Sequence, residues 1–207
     1  MVNSMDLNEI KKEALKNNVP IIQDPSLEKI KELIVEHNVS NILEIGTAVG
    51  YSALSFLSMG TKKIVTIERN EEMYHKAIEN IMALNKMNEI EVIFGDALDI
   101  DISHFNKEFD LLFIDAAKAQ NIKFFERFSL FVKDDGIIVV DNILFHGVKA
   151  DDENISKNLK SLVLKIQKFI DWLNQNEEFE TVYFNEGDGL AISRRKKWLL
   201  LNLIMKN

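Results

Sequence analysis

Cysteine is absent from this 207-residue chain, and proline occurs only twice, at Pro20 and Pro25. Without cysteine there are no disulfides and no thiolate cages for zinc, and the composition suits a reducing, cytoplasmic setting. The scarcity of proline leaves no evident linker, so residues 1–207 are expected to form a single domain. Long apolar runs are missing too. The stretch from Trp198 to Met205 is too short to cross a bilayer, and residues 1–16 mix charges with apolar side chains instead of carrying a signal-peptide core. No membrane partner is expected. The four histidines have no ligand spacing, and neither repeats nor low-complexity segments occur. Basic residues are outnumbered: 25 Lys and Arg against 33 Asp and Glu leave a net charge of −8, an acidic surface on average.

The chain does have a rich apolar content, 46% of its residues, arranged as short β-rich runs between longer helical patterns. That alternation is the signature of a parallel sheet covered on both faces. Strands are expected near 41–45, 63–68, 90–95, 109–114, 136–141, 179–184 and 189–194. Helices are expected at 6–17, 26–37, 51–59, 71–85, 119–131 and 154–175. The last two strands flank Gly187-Asp188-Gly189 and read as an antiparallel hairpin. The expected fold is α/β and Rossmann-like: a seven-stranded, mostly parallel sheet with an antiparallel C-terminal hairpin and helices on both faces.

The segment from Ile42 to Ser52 reads as a buried strand running into a glycine turn and a helix start. Gly46 and Gly50 allow backbone angles closed to other residues, and the amides of the following helix then face whatever occupies the turn. The pattern is neither GxGxxG nor a phosphate loop, which disfavours dinucleotides and nucleoside triphosphates. Glu44 within the strand points instead toward S-adenosylmethionine. A second strand ends in Glu68, about 20 residues on, where a carboxylate can hold a ribose diol; the competing reading is a cap on the next helix. A third strand delivers Gly95-Asp96-Ala97, whose aspartate could meet an adenine amino group. The fourth ends in Asp115 and the fifth in Asp141-Asn142. The carboxyl ends of parallel strands form the ligand crevice of such sheets, so these three oxygen donors converge there and suit Mg²⁺. The alternative is that the aspartates cap the following loops. Lys118, three residues after Asp115, would lie near the ion and the cofactor, where a neutral amine could accept a proton.

These blocks resemble the class I S-adenosylmethionine-dependent O-methyltransferases of the metal-dependent, catechol O-methyltransferase-like group. Within that group the chain is most similar to the bacterial tRNA 5-hydroxyuridine methyltransferases. The resemblance is carried by Val19-Pro20-Ile21, Ile42 to Ala53, Thr66 to Asn70, Gly95 to Leu98, Phe113 to Lys118, Asp141 to Phe145 with Gly147, and Gly187 to Ser193. It implies that Glu68 holds the ribose, Asp96 and Ala97 the adenine edge, and Gly46 with Ser52 the amino-acid end of the cofactor. Asp115, Asp141 and Asn142 would bind Mg²⁺ or Mn²⁺, Asp115 also lying near the methionine portion, and Lys118 matches the base. Residues 1–37 would form a helical cap in which Val19 to Ile22 closes over the cofactor, making Ile22 a contact. The sequence departs from the DAAKGQY pattern at Ala119 and Asn121, where a glycine and an aromatic residue are expected.

The resemblance implies methylation of the 5-hydroxyl of 5-hydroxyuridine at the wobble position of a tRNA anticodon loop. Alternatives are a small catechol, a phenol or an acyl-CoA-linked phenol, and, from another class, a noncatalytic cofactor-binding module. RNA binding on an acidic chain needs a local basic patch. Lys157, Lys160, Lys165 and Lys168 fall within roughly 140° of helical arc at 100° per residue, and Arg194 to Lys197 form a second cluster. Phe145 and His146 are candidate substrate contacts. The apolar tail within 196–207 points to a homodimer.

Overall fold

The computed structural model describes residues 6–103, 105–144 and 156–197. Phe145, His146, Gly147 and the apolar tail lie outside the described residues. Each expected apolar run becomes a strand: β1 Asn41–Ile45, β2 Lys63–Glu68, β3 Ile90–Phe94, β4 Phe109–Ile114, β5 Val132–Asp141, β6 Phe179–Phe184 and β7 Leu190–Arg195. They form one sheet in the order β3-β2-β1-β4-β5-β7-β6. The first five strands pair in parallel, whereas β7 runs antiparallel to both β5 and β6.

Strand alternation divides the core in two. Ile42 and Leu111 face one cluster with α1 (Leu7–Lys16), α2 (Asp24–Glu36), α3 (Tyr51–Ser58) and α4 (Glu71–Ala83). Leu43 and Leu112 face the other, built with α5 (Asn121–Phe128) and α6 (Lys157–Asn174). The central strands are therefore apolar on both faces, as a doubly covered parallel sheet requires.

Local chemistry sets the boundaries. A reciprocal capping box between Asp6 and Glu9 starts α1. Helix α2 begins two residues before the expected 26 because Asp24-Pro25 supplies its first turn. The expected helix 119–131 is broken: Lys118–Gln120 form a 3₁₀ turn, α5 follows, and Ser129–Phe131 form a second 3₁₀ turn. Strand β5 starts at Val132, four residues before the expected 136, because its pairing with β4 continues through an irregularity between Phe109 and Leu111. Gly136 permits it, since a Cβ there would lie 2.6 Å from Val132 Cγ1 and 2.9 Å from the Asp110 carbonyl. Among the described residues, no helix is long and apolar enough to cross a membrane.

Candidate active site

The carboxyl ends of β1, β2, β4 and β5 open into a cavity of about 700 Å³, roofed by Val19 to Gln23 from the segment between α1 and α2. After β1 the chain turns at Gly46 with φ +101°. A Cβ there would lie 2.2 Å from the Asp115 carbonyl oxygen, so only glycine lets the β1 and β4 ends meet this closely. Ala48 and Gly50 also take positive φ, and Gly50 leads into α3. Gly46 and Ser52 both line the cavity.

Glu68 closes β2 with 9% exposure, and its carboxylate accepts the amides of Ala48 and Asn70, both at 2.8 Å. It thus links the first glycine turn to the next helix start while lining the cavity. Asp96 accepts the Leu98 amide at 2.9 Å and lies 3.5 Å from the Arg69 guanidinium. Ala97 and Ile22 are buried and complete the walls on either side. All seven residues expected to hold the cofactor, namely Ile22, Gly46, Ser52, Glu68, Asp96, Ala97 and Asp115, line this one space.

Glu44 lies behind the cavity. It is fully buried and does not line the cavity. Thr66 Oγ1 donates to its Oε2 at 2.5 Å, and Thr66 in turn meets Thr47 at 2.6 Å, so Glu44 braces the glycine turn from behind. Among the described residues its Oε1 has no hydrogen-bond partner. Burial pushes its carboxyl up to about 8, against the opposing pull of Ser52 and Thr66.

Lys118, Asp115, Asp141 and Asn142 gather at the far end of the cavity. Lys118 Nζ donates to Asp115 Oδ1 at 2.9 Å and to the Asp141 carbonyl at 3.1 Å. Asn142 Nδ2 donates to the same Asp115 oxygen at 3.1 Å, from a left-handed backbone of φ +59°. Asp141 Oδ1 accepts its neighbour Asn142 N at 2.8 Å and Ser26 Oγ at 3.4 Å. Burial, and then the charge of Asp115, push the Asp141 carboxyl up to about 7.

Two carboxylates in one partly desolvated corner repel each other, and a hard cation between them would relieve that cost. Among the described residues no three His, Cys, Asp or Glu side chains form a metal cage. The donor set of two carboxylates and one amide fits an ion that fills its remaining positions with non-protein oxygens, as Mg²⁺ does. Turning the Asn142 carboxamide would present its oxygen in place of its nitrogen.

Sequence reading overlooked Gln23, Arg69 and Asp188, which also line the cavity. Gln23 Nε2 donates to Asp188 Oδ2 at 2.6 Å, tying the roof to the β6–β7 turn. Asp188 lies in the Gly187-Asp188-Gly189 turn already recognised, but only the antiparallel placement of β7 beside β5 brings that turn to the carboxyl edge of the sheet.

A family model described as O-methyltransferase matches residues 2–196. A Staphylococcus aureus protein of known structure, provisionally assigned as a caffeoyl-CoA O-methyltransferase, is 38% identical, with a TM-score of 0.84 and 93% of each chain covered. A Bacillus cereus O-methyltransferase crystallised with S-adenosylhomocysteine is 26% identical, with a TM-score of 0.77 over 95% of this chain and 94% of that one. A caffeoyl-CoA O-methyltransferase of Populus kitakamiensis is 28% identical over 86% of this chain and 78% of its own length.

Proposed function

The chain belongs to the O-methyltransferase family, and on that premise we propose that it moves the methyl group of S-adenosylmethionine onto one of two neighbouring oxygens of an unsaturated ring. The reading rests on the meeting of Lys118 and Asn142 at a single oxygen of Asp115, beside Asp141. The relatives named for caffeoyl-CoA favour a phenol carried on an acyl-CoA as substrate. A cavity of about 700 Å³ falls within the usual range for small-molecule sites, roughly 300–1,000 Å³.

In this reading Glu68 orients the ribose, Asp96 and Ala97 hold the adenine edge, and Gly46 with Ser52 receives the amino-acid end. Ile22 covers the bound cofactor, and Asp115 lies near its methionine portion. The substrate oxygen forms its bond to the methyl carbon as the carbon–sulfur bond breaks, and the departing electron pair remains on sulfur. Lys118 takes up the hydroxyl proton or balances the oxyanion that results. A divalent cation held by Asp115, Asp141 and Asn142 would supply Lewis acidity and fix the two neighbouring oxygens. In-line approach to the methyl group then depends on how firmly these side chains hold the ring.

A second reading is methylation of 5-hydroxyuridine at the tRNA wobble position. Its 5-hydroxyl stands beside the O4 carbonyl, a vicinal oxygen pair like that of a catechol. The observation favouring it is the basic face of α6, an exception on an acidic chain. Incubation with labelled S-adenosylmethionine should methylate a caffeoyl-type acyl-CoA, free catechol or a 5-hydroxyuridine RNA hairpin, and excess chelator should suppress the reaction. Tight S-adenosylhomocysteine binding with no transfer to any of the three would leave the noncatalytic module as the better description.

A further inference from the structure

Helix α6 presents four lysines to solvent along one side. Lys157, Lys160, Lys165 and Lys168 are all exposed, and with Ser161 and Leu164 they line a shallow groove of about 420 Å³. None of the four forms an ion pair with a described residue. Several other lysines are matched by carboxylates, among them Lys76 by Glu13, Lys86 by Glu89 and Lys133 by Asp110. The single carboxylate within α6, Asp171, accepts a hydrogen bond from Gln167 at 2.9 Å. Four like charges on one helical face repel each other, and Asp171 is the one carboxylate on the helix to set against them. Helix α6 also packs against the 3₁₀ turn that carries Lys118.

We propose that the groove is a docking track for the phosphodiester backbone of an RNA, which rests on the second reading above and gives that substrate its binding surface. Charge complementarity selects a polyanion, and the dimensions select a long one. From Lys157 to Lys168 is eleven residues, about 16 Å along the helix axis at 1.5 Å per residue. The phosphates of an acyl-CoA cluster on one nucleotide and meet only one end of such a row, whereas a polynucleotide presents phosphates along its whole length. Exposed Leu164, set among the lysines, gives a ribose or base edge an apolar surface to lie on.

The test is the affinity of the full chain for a fluorescent anticodon stem-loop RNA, read by anisotropy between about 50 and 200 mM salt. The double variant Lys160→Gln/Lys165→Gln should bind at least ten-fold more weakly, and its log–log salt slope should be shallower by about 1.4, at about 0.7 per lost single-strand contact. Lys62→Gln/Lys63→Gln, exposed lysines on another part of the surface, should bind as the unaltered protein does. S-adenosylhomocysteine affinity and any transfer to free catechol should persist in both variants. Equal RNA affinity in the α6 variant, absence of RNA binding by the unaltered protein, or loss of coenzyme A binding with RNA binding intact would each overturn the assignment. RNA that binds through these lysines but accepts no methyl group would support the surface and refute the second reading of the reaction.

Discussion

Lys118 is held at two points, the Asp115 carboxylate and the Asp141 carbonyl, so its amine occupies one position relative to the cavity. Lys118→Met keeps the length of the side chain and removes the nitrogen. It should lower kcat by roughly 10²–10⁴, the usual contribution of a positioned proton acceptor, while calorimetry finds S-adenosylhomocysteine affinity unchanged. Comparable loss of cofactor affinity would show that Lys118 serves binding instead. Glu44 makes a different prediction, about stability. Its carboxyl titrates near 8 when buried in the folded chain, against 4.5 in its ordinary state. The folded protein therefore retains a proton that the unfolded chain releases, and stability falls as pH rises from about 4.5 to about 8. Below that window both states are protonated, and above it both are ionised. Glu44→Gln cannot ionise, so its stability relative to the unaltered protein should climb across this interval and level off beyond it. Parallel denaturation curves from pH 4 to 9 would refute this account of Glu44.

At the scale of single elements, β1 and β4 are joined at their starts as well as at their ends. Asp110 near the start of β4 accepts the amides of Ser40 at 2.9 Å and Asn41 at 2.8 Å, and Lys133 Nζ at 2.6 Å. Burial works to raise its carboxyl, but Lys133 and the two amides outweigh burial and hold it below the usual range. Asp110→Ala leaves those partners unmatched and should cost about 2–3 kcal/mol in urea unfolding at neutral pH, the scale of hydrogen bonds to a charged group. Because the folded carboxyl is depressed, that difference is complete above the ordinary aspartate range and shrinks as acid protonates it. The strand spans themselves were legible because each is a short apolar run, and Asp115, Asp141 and Asn142 were legible because each follows such a run directly. The start of β5 was not. Lys133-Asp134-Asp135-Gly136 reads as a polar turn, and only pairing with β4 draws it into the sheet. Nor was the burial of Glu44 against Thr66 legible, because it depends on the neighbouring strand.

Across the whole molecule, the cavity is closed by parts of the chain that have no local signature of belonging together. Gln23 and Asp188 are 165 residues apart, yet their side chains meet at 2.6 Å. Around that contact Ser26 Oγ lies 3.4 Å from both Asp141 Oδ1 and the Glu186 carbonyl. The hairpin turn in its turn accepts the amides of Ile143 at 3.1 Å and Leu144 at 2.8 Å, just beyond Asn142. The roof, the turn and the acidic corner are therefore one connected seam, and loosening the roof from it is expected to ease the passage of a cofactor of nucleoside size. Gln23→Ala removes the side-chain hydrogen bond that ties the roof segment to that turn. Stopped-flow release of S-adenosylhomocysteine should accelerate several-fold, while the unfolding free energy of the ligand-free chain changes by less than about 2 kcal/mol, as expected for one exposed hydrogen bond. Protection by ligand should weaken in step, because the thermal shift at fixed ligand concentration follows the dissociation constant. Unchanged release with an unchanged thermal shift would mean that the roof is held by the apolar packing of Val19, Ile21 and Ile22 alone.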